Sequence, residues 1–172
     1  MPELFWVTTP AAGRLAVSTR PRGGLWLADD MALLRTAAVD TLVSMLVPGE
    51  LRDLQLEEEA DHAEAAGLRF VNLPIPDLST PTSMEIVPSL FELRDEVVSG
   101  RTVVAHCRQG VGRSPLVVAS ILVLLGVAAD DAWGRIKQVR GRHVPDTAAQ
   151  GRWVAELARA RAPEGPNARR PW

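Results

Sequence analysis

The stretch His106-Cys107-Arg108-Gln109-Gly110-Val111-Gly112-Arg113-Ser114 lies between a short β-prone run at 102–105 and a segment, 115–125, that is apolar on nearly every side. A buried strand therefore leads in, and a central, well-covered helix leads out. Gly110 and Gly112 let successive backbone N–H groups turn inward, and the following helix adds the positive end of its dipole, so the loop can wrap a tetrahedral oxyanion. The main chain of Arg108, Gln109, Gly110, Val111 and Gly112 is expected to form this anion nest. Arg113, six positions after Cys107, can return its guanidinium to the rim and hold two phosphate oxygens in a planar fork that lysine lacks. The same donors stabilise a thiolate, so Cys107 is expected to titrate below the roughly 8.5 of a free cysteine and to act as a nucleophile. Ser114 is expected to bring a hydroxyl to that sulfur and to ease its departure from a phosphocysteine. The competing reading makes Cys107 an inert buried thiol and 110–112 an ordinary turn.

Outward from this loop, helices and strands alternate. Residues 5–7 and 15–18 read as a short edge hairpin around Pro10 and Gly13. Asp29 or Asp30 is expected to cap a helix running through Met31, Leu33, Leu34 and Ala37, followed by a strand at 41–47 that ends at Pro48. An acidic, alanine-rich helix at 57–66 stops at Gly67, and 68–73 is the next strand. Ile86, Leu90, Leu93 and Val97 make one stripe of a helix over 85–99, with Pro88 tolerable near its first turn and Gly100 closing it. Further helices are expected at 130–140 and 147–162. The alternation predicts an α/β domain, a central and mostly parallel twisted sheet with helices on both faces, whose ligands bind at the carboxyl ends of the strands. One domain over 1–162 is expected, with 163–172, rich in Pro, Gly, Asn and Arg, as a disordered tail.

With 172 residues and 47% hydrophobic side chains, the chain can bury one core. Its 19 basic and 21 acidic side chains leave a formal net charge of -2, which offers nucleic acid or an anionic membrane no global attraction. Any anion site must be local. Cys107 is the single cysteine, which removes an internal disulfide and fits a reducing, cytoplasmic setting. The N-terminus lacks a basic start followed by an apolar stretch, and 117–127 is shorter than the roughly 20 residues a membrane span needs, so an untargeted, soluble protein is expected. Three scattered histidines and one cysteine form no cluster of metal-ligand spacing, so neither metal nor cofactor is expected.

His-Cys, five residues, Arg and then Ser resembles the signature loop of the protein-tyrosine phosphatase superfamily, and the chain looks most like its small atypical dual-specificity members. The match covers His106, Cys107, Gly110, Arg113 and Ser114, while Pro115 stands where many members carry glycine, a replacement suited to a first helical turn. The resemblance implies a cysteine-dependent phosphoric monoester hydrolase that works through a phosphocysteine intermediate. Such chemistry needs a protonated leaving oxygen. Asp77, in Leu73-Pro74-Ile75-Pro76-Asp77, follows a strand 30 residues before Cys107 and resembles the family's general-acid loop. Its other reading is a turn aspartate after two prolines. His106 is expected to organise the loop by hydrogen bonding, with direct proton transfer as the lesser reading. Residues 146–150 resemble the family's late loop, which makes Gln150 a candidate for positioning the attacking water. In the simpler reading Thr147 caps the last helix and Gln150 lies on its first turn.

The chain contains no tyrosine. Tyrosine-specific members use an aromatic residue, usually tyrosine, to deepen their pocket, so the resemblance implies a shallower one that accepts phosphotyrosine, phosphoserine and phosphothreonine. The expected partner is a phosphorylated protein or peptide, with no nucleic acid and no membrane, and a monomer is the expected form. Arg108 is the only additional charge in the nest, which disfavours phosphoinositides and inositol phosphates. These, RNA 5′-phosphates and a catalytically silent phosphate-binding module are the alternatives. Arg142 is a lesser candidate for recognising a second acidic group, with a solvated arginine as the default.

Overall fold

The computed structural model describes residues 2–81 and 86–161. The reading of 163–172 as a tail, and the start of the helix expected from 85, lie outside the described residues. Five strands form one sheet in the order β1-β2-β5-β3-β4. β1 (Leu4–Val7) pairs antiparallel with β2 (Arg14–Ser18), whereas β2, β5 (Thr102–His106), β3 (Thr41–Ser44) and β4 (Arg69–Asn72) run parallel. Strands β3 and β5 are buried at every position, so Leu42-Val43 and Val103-Val104-Ala105 are continuous apolar runs, as a parallel sheet covered on both faces requires. The expected edge hairpin is an edge on one side only. β1 lies outermost, while β2 is inside the sheet and pairs with β5 through Ala16↔Val104 and Val17↔Ala105.

One face of the sheet packs Ala16, Leu42 and Val104 against α1 (Leu27–Thr36) and α3 (Glu59–Ala65) through Met31, Leu34 and Ala63. The other packs Val17, Val43, Val103 and Ala105 against α4 (Ile86–Val98), α5 (Arg113–Leu124), α6 (Ala129–Arg140) and α7 (Ala148–Arg161). Every residue of α5 is buried between the sheet and its helical neighbours, which is why its sequence beyond the first turn is apolar on nearly every side. No helix among the described residues is long and apolar enough to cross a membrane.

Three sequence expectations are corrected. Neither Asp29 nor Asp30 caps α1. The helix begins at Leu27 after a 3-10 turn, Gly24–Trp26, and Asp30 turns inward to take the Arg22 guanidinium at 2.5 Å and the Arg22 backbone N–H at 2.8 Å. A bidentate arginine partner outcompetes the cap. The strand expected over 41–47 ends at Ser44, and Pro48, taken as its stop, is the first residue of an unforeseen helix, α2 (Pro48–Asp53). Helix α5 starts at Arg113 rather than at Pro115, so Arg113 and Ser114 sit on its first turn.

Candidate active site

Parallel pairing of β3 and β5 ends at Ser44↔His106, and the next residue, Cys107, emerges at the carboxyl edge of the sheet. Cys107 is 3% exposed, and its Sγ accepts the Gly110 N–H and the Ser114 hydroxyl, each at 3.3 Å. Gly110 has φ +71, and a Cβ there would lie 2.7 Å from the Ser18 carbonyl oxygen, so only glycine fits this close approach. A Cβ on Gly112 would meet Asp146 Oδ2 at 2.7 Å and Gln150 Nε2 at 3.0 Å. Burial pushes the Cys107 thiol up, but the Ser114 hydroxyl and N–H, the Gln109 N–H and the Arg113 charge outweigh it, and the net direction is below the ordinary thiol value.

Arg113 departs from the expected rim position. It is 2% exposed, and its fork closes on Glu50, with Nη1–Oε2 at 2.6 Å and Nη2–Oε1 at 2.8 Å. Nη1 also donates to the Ile75 carbonyl at 3.0 Å. Glu50 in turn accepts the Val47 N–H at 3.3 Å, and the Arg113 hydrogen bonds hold its carboxyl below the usual range despite burial. Asp77 reaches the same guanidinium, Oδ1 to Nη2 at 3.2 Å, while its side chain stays 66% exposed. The turn reading of Asp77 holds. It opens a turn in which the Ser79 N–H bonds the Pro76 carbonyl at 3.1 Å, and it points at the arginine.

A cavity of about 260 Å³ brings Asp77, Cys107 and Arg113 together with Arg108, Gln109, Val111 and Gly112, and Leu78, Asp146 and Gln150 complete its wall. Gly110 serves the sulfur from behind the loop. Gln150 follows its simpler reading, on the first turn of α7 beside the Thr147 cap: its N–H bonds Thr147 Oγ1, its Oε1 accepts the Thr147 N–H, each at 3.3 Å, and its Nε2 donates to the Ser79 carbonyl at 3.2 Å. This reciprocal cap fixes the first turn of α7.

His106 stays outside the cavity. It is fully buried, with Nε2 2.7 Å from Glu59 Oε1 on α3. Sequence reasoning missed Glu50 and Glu59. Glu50 had one usable signal, a glutamate two positions after a helix-starting proline. Glu59 lies in an acidic run, 57–59, that resembles an ordinary solvated face.

A thiolate-stabilising loop at the end of a parallel strand, faced by a buried, carboxylate-anchored arginine, defines a cysteine-dependent phosphatase domain. The profile of the family described as "Tc-R-P: Polymorphic toxin system, DSP-PTPase phosphatase" matches residues 17–127, and the chain belongs to that family. It is 26% identical over 134 residues to cyclin-dependent kinase inhibitor 3 of Rattus norvegicus, covering 74% of this chain and 61% of that protein. The chain thus spans less than two thirds of the length of this relative. Among solved structures, kinase-associated phosphatase with serine in place of its catalytic cysteine superposes with a TM-score of 0.84 at 20% identity, over 95% of this chain and 97% of that one. Tk-PTP in its active form superposes with a TM-score of 0.71 at 24% identity, over 86% and 92%. These likenesses establish the fold.

Proposed function

We propose that this protein hydrolyses phosphate monoesters on phosphorylated proteins, phosphotyrosine and also phosphoserine and phosphothreonine, through a phosphocysteine intermediate. The observation that carries the reading is the Cys107 sulfur, held at 3.3 Å by both a loop N–H and the Ser114 hydroxyl in a cavity that Arg113 and Asp77 also line. Kinship with the rat inhibitor and the kinase-associated phosphatase supports a protein substrate. No aromatic side chain lines the cavity among the described residues, which suits the shorter phosphoserine and phosphothreonine as well as phosphotyrosine.

In the first step Cys107 Sγ attacks phosphorus in line with the ester bond. The S–P bond forms as the P–O bond to the leaving group breaks, and protonated Asp77 gives its proton to the leaving oxygen. Loop N–H groups of 108–112 and the Arg113 guanidinium hold the equatorial oxygens, whose charge is spread in the transition state. Glu50 keeps that guanidinium aimed. Water then attacks the phosphocysteine, the Asp77 carboxylate takes its proton, and the sulfur leaves as a thiolate received by Ser114. Gln150, on the cavity wall, orients the water. A cytoplasmic setting belongs to this reading, because a nucleophilic thiolate needs reducing surroundings.

Turnover of a small aryl phosphate tests it. Wild type is expected to be active, Cys107→Ser inactive, and Asp77→Asn reduced by roughly 10²-fold or more at the pH optimum. Turnover retained by Cys107→Ser overturns the assignment. Phosphate affinity without turnover in any form identifies a silent binding module instead.

A further inference from the structure

The 3-10 turn Gly24–Trp26 that precedes α1 leaves Leu25 98% and Trp26 56% exposed. One apolar side chain on a surface is ordinary, but two large neighbours held out together call for a reason. They are held, because the turn is fastened to the chain just past α2. The Gly24 N–H bonds the Gln55 carbonyl at 2.9 Å, and a Cβ on Gly23 would run into the Leu54 carbonyl oxygen. Gln55 itself has φ +55, a conformation uncommon for a residue with a side chain. The backbone on both sides of this contact is thus specialised to present Leu25.

Beside Leu25 opens a groove of about 720 Å³. Leu25, Leu27 and Ala28 supply its apolar part, and Glu57, Glu58 and His62 its polar part. Glu58 lies 3.6 Å from His62, whereas Glu57 has no ion-pair partner among the described residues, and no lysine or arginine among them lines the groove. Arg22, which stacks on Trp26 with Cζ 4.8 Å from the ring centroid, is already taken by Asp30. The groove therefore pairs an apolar knob with unneutralised carboxylates. None of its lining residues lines the catalytic cavity.

We propose that this turn and groove form a docking surface for a segment of a partner protein in which a lysine or arginine lies beside a large apolar side chain. The apolar side chain packs on Leu25 and Leu27, and the cation meets Glu57 and Glu58. Charge complementarity sets the sign of the partner, since an anionic segment would face two carboxylates with no cation to receive it. It also disfavours a second copy of this chain. A two-fold contact brings a patch against itself, so Glu57 and Glu58 would oppose their own counterparts. The fastened turn lowers the ordering cost of binding, because Leu25 is presented in advance.

Peptides selected from a random phage-displayed library against the full chain test this, with the best binder remade as a free labelled peptide for fluorescence anisotropy. Enriched peptides are expected to place lysine or arginine next to leucine, isoleucine, phenylalanine or tryptophan. Leu25→Asp is expected to weaken the free peptide about tenfold or more, as loss of a central apolar contact does. Glu57→Lys is expected to weaken it by roughly threefold to tenfold, and wild-type affinity to fall as salt is raised. Both side chains are exposed, so urea midpoints of the two variants should match wild type, which separates lost docking from a lost fold. Enrichment of acidic peptides, no enrichment above an unrelated protein, or binding that neither substitution moves overturns the proposal. So does a concentration-dependent dimer in sedimentation that Leu25→Asp abolishes, which would give the face to a second copy. Peptide binding seen only after removal of 163–172 would give the groove to the chain's own Arg169, Arg170 and Trp172 and overturn the partner equally.

Discussion

His106 and Glu59 meet at 2.7 Å with side chains 0% and 1% exposed. Burial alone drives a histidine toward the neutral form, but the Glu59 carboxylate and the Cys107 charge reverse it, and His106 titrates above its ordinary 6.5. An imidazolium one residue before the nucleophile helps keep the sulfur ionised. Glu59→Gln removes that support, so the iodoacetamide alkylation profile of Cys107 is expected to move to higher pH, carrying the acid limb of kcat/KM with it. An unmoved profile contradicts the role. The linkage has a definite sign: a raised histidine contributes stability fully below 6.5 and loses it as pH rises through the folded value. Urea midpoints should therefore decline on that rise in wild type and less so in Glu59→Gln. Gly110 gives a second residue-level expectation. Alanine there must hold φ +71 against the Ser18 carbonyl. Gly110→Ala is expected to cost about 1–3 kcal/mol of stability by urea denaturation, and to cut kcat/KM as the N–H leaves the sulfur.

At the scale of elements, α5 does two jobs with one sequence. Its body, 116–124, is apolar except for Ser120 and buried between sheet and helices, while its first turn carries Arg113 and Ser114 to the loop. The packing holds the chemistry in register. Leu122→Ala is expected to cost roughly 2–5 kcal/mol, read from the shift in urea midpoint. Helix α2 works differently: it is 6 residues long and too short to be stable alone. Its place is secured by the Glu50 grip on Arg113, so this element and the buried guanidinium hold each other.

For the whole molecule, strand order does what no single segment does. β5, β3 and β4 lie side by side and parallel, and the chain beyond their carboxyl ends supplies Cys107, Glu50 and Asp77 in turn. The carboxyl edge of a parallel sheet thus becomes one site. Cysteine usage adds a consequence at the same scale. Peroxide oxidises the Cys107 thiolate to a sulfenic acid and is itself reduced to hydroxide, yet the 172 residues hold no second cysteine to form an internal disulfide. Inactivation by stoichiometric peroxide is therefore expected to reverse on adding an external thiol such as dithiothreitol. Full activity after oxidation of Cys107 would refute it.

By itself, the sequence determined the parallel α/β frame and the loop around Cys107, and it marked Asp77 as a candidate acid. Each is written locally: in apolar runs of strand length, in glycines that let N–H groups converge, and in the short spacing from Cys107 to Arg113. The cap that Thr147 and Gln150 form was legible for the same reason, since a cap and its partner lie three residues apart. Tertiary structure alone decided who anchors whom. Glu50 and Arg113 are 63 residues apart in the chain, and nothing local separates Glu50 or Glu59 from any exposed glutamate. Their partners follow from which strands lie adjacent and which helix covers which face, because burying a charge is costly unless the fold brings it a counter-charge. Asp30, turned from a cap to an inward partner of Arg22, shows the same physics overruling a local preference.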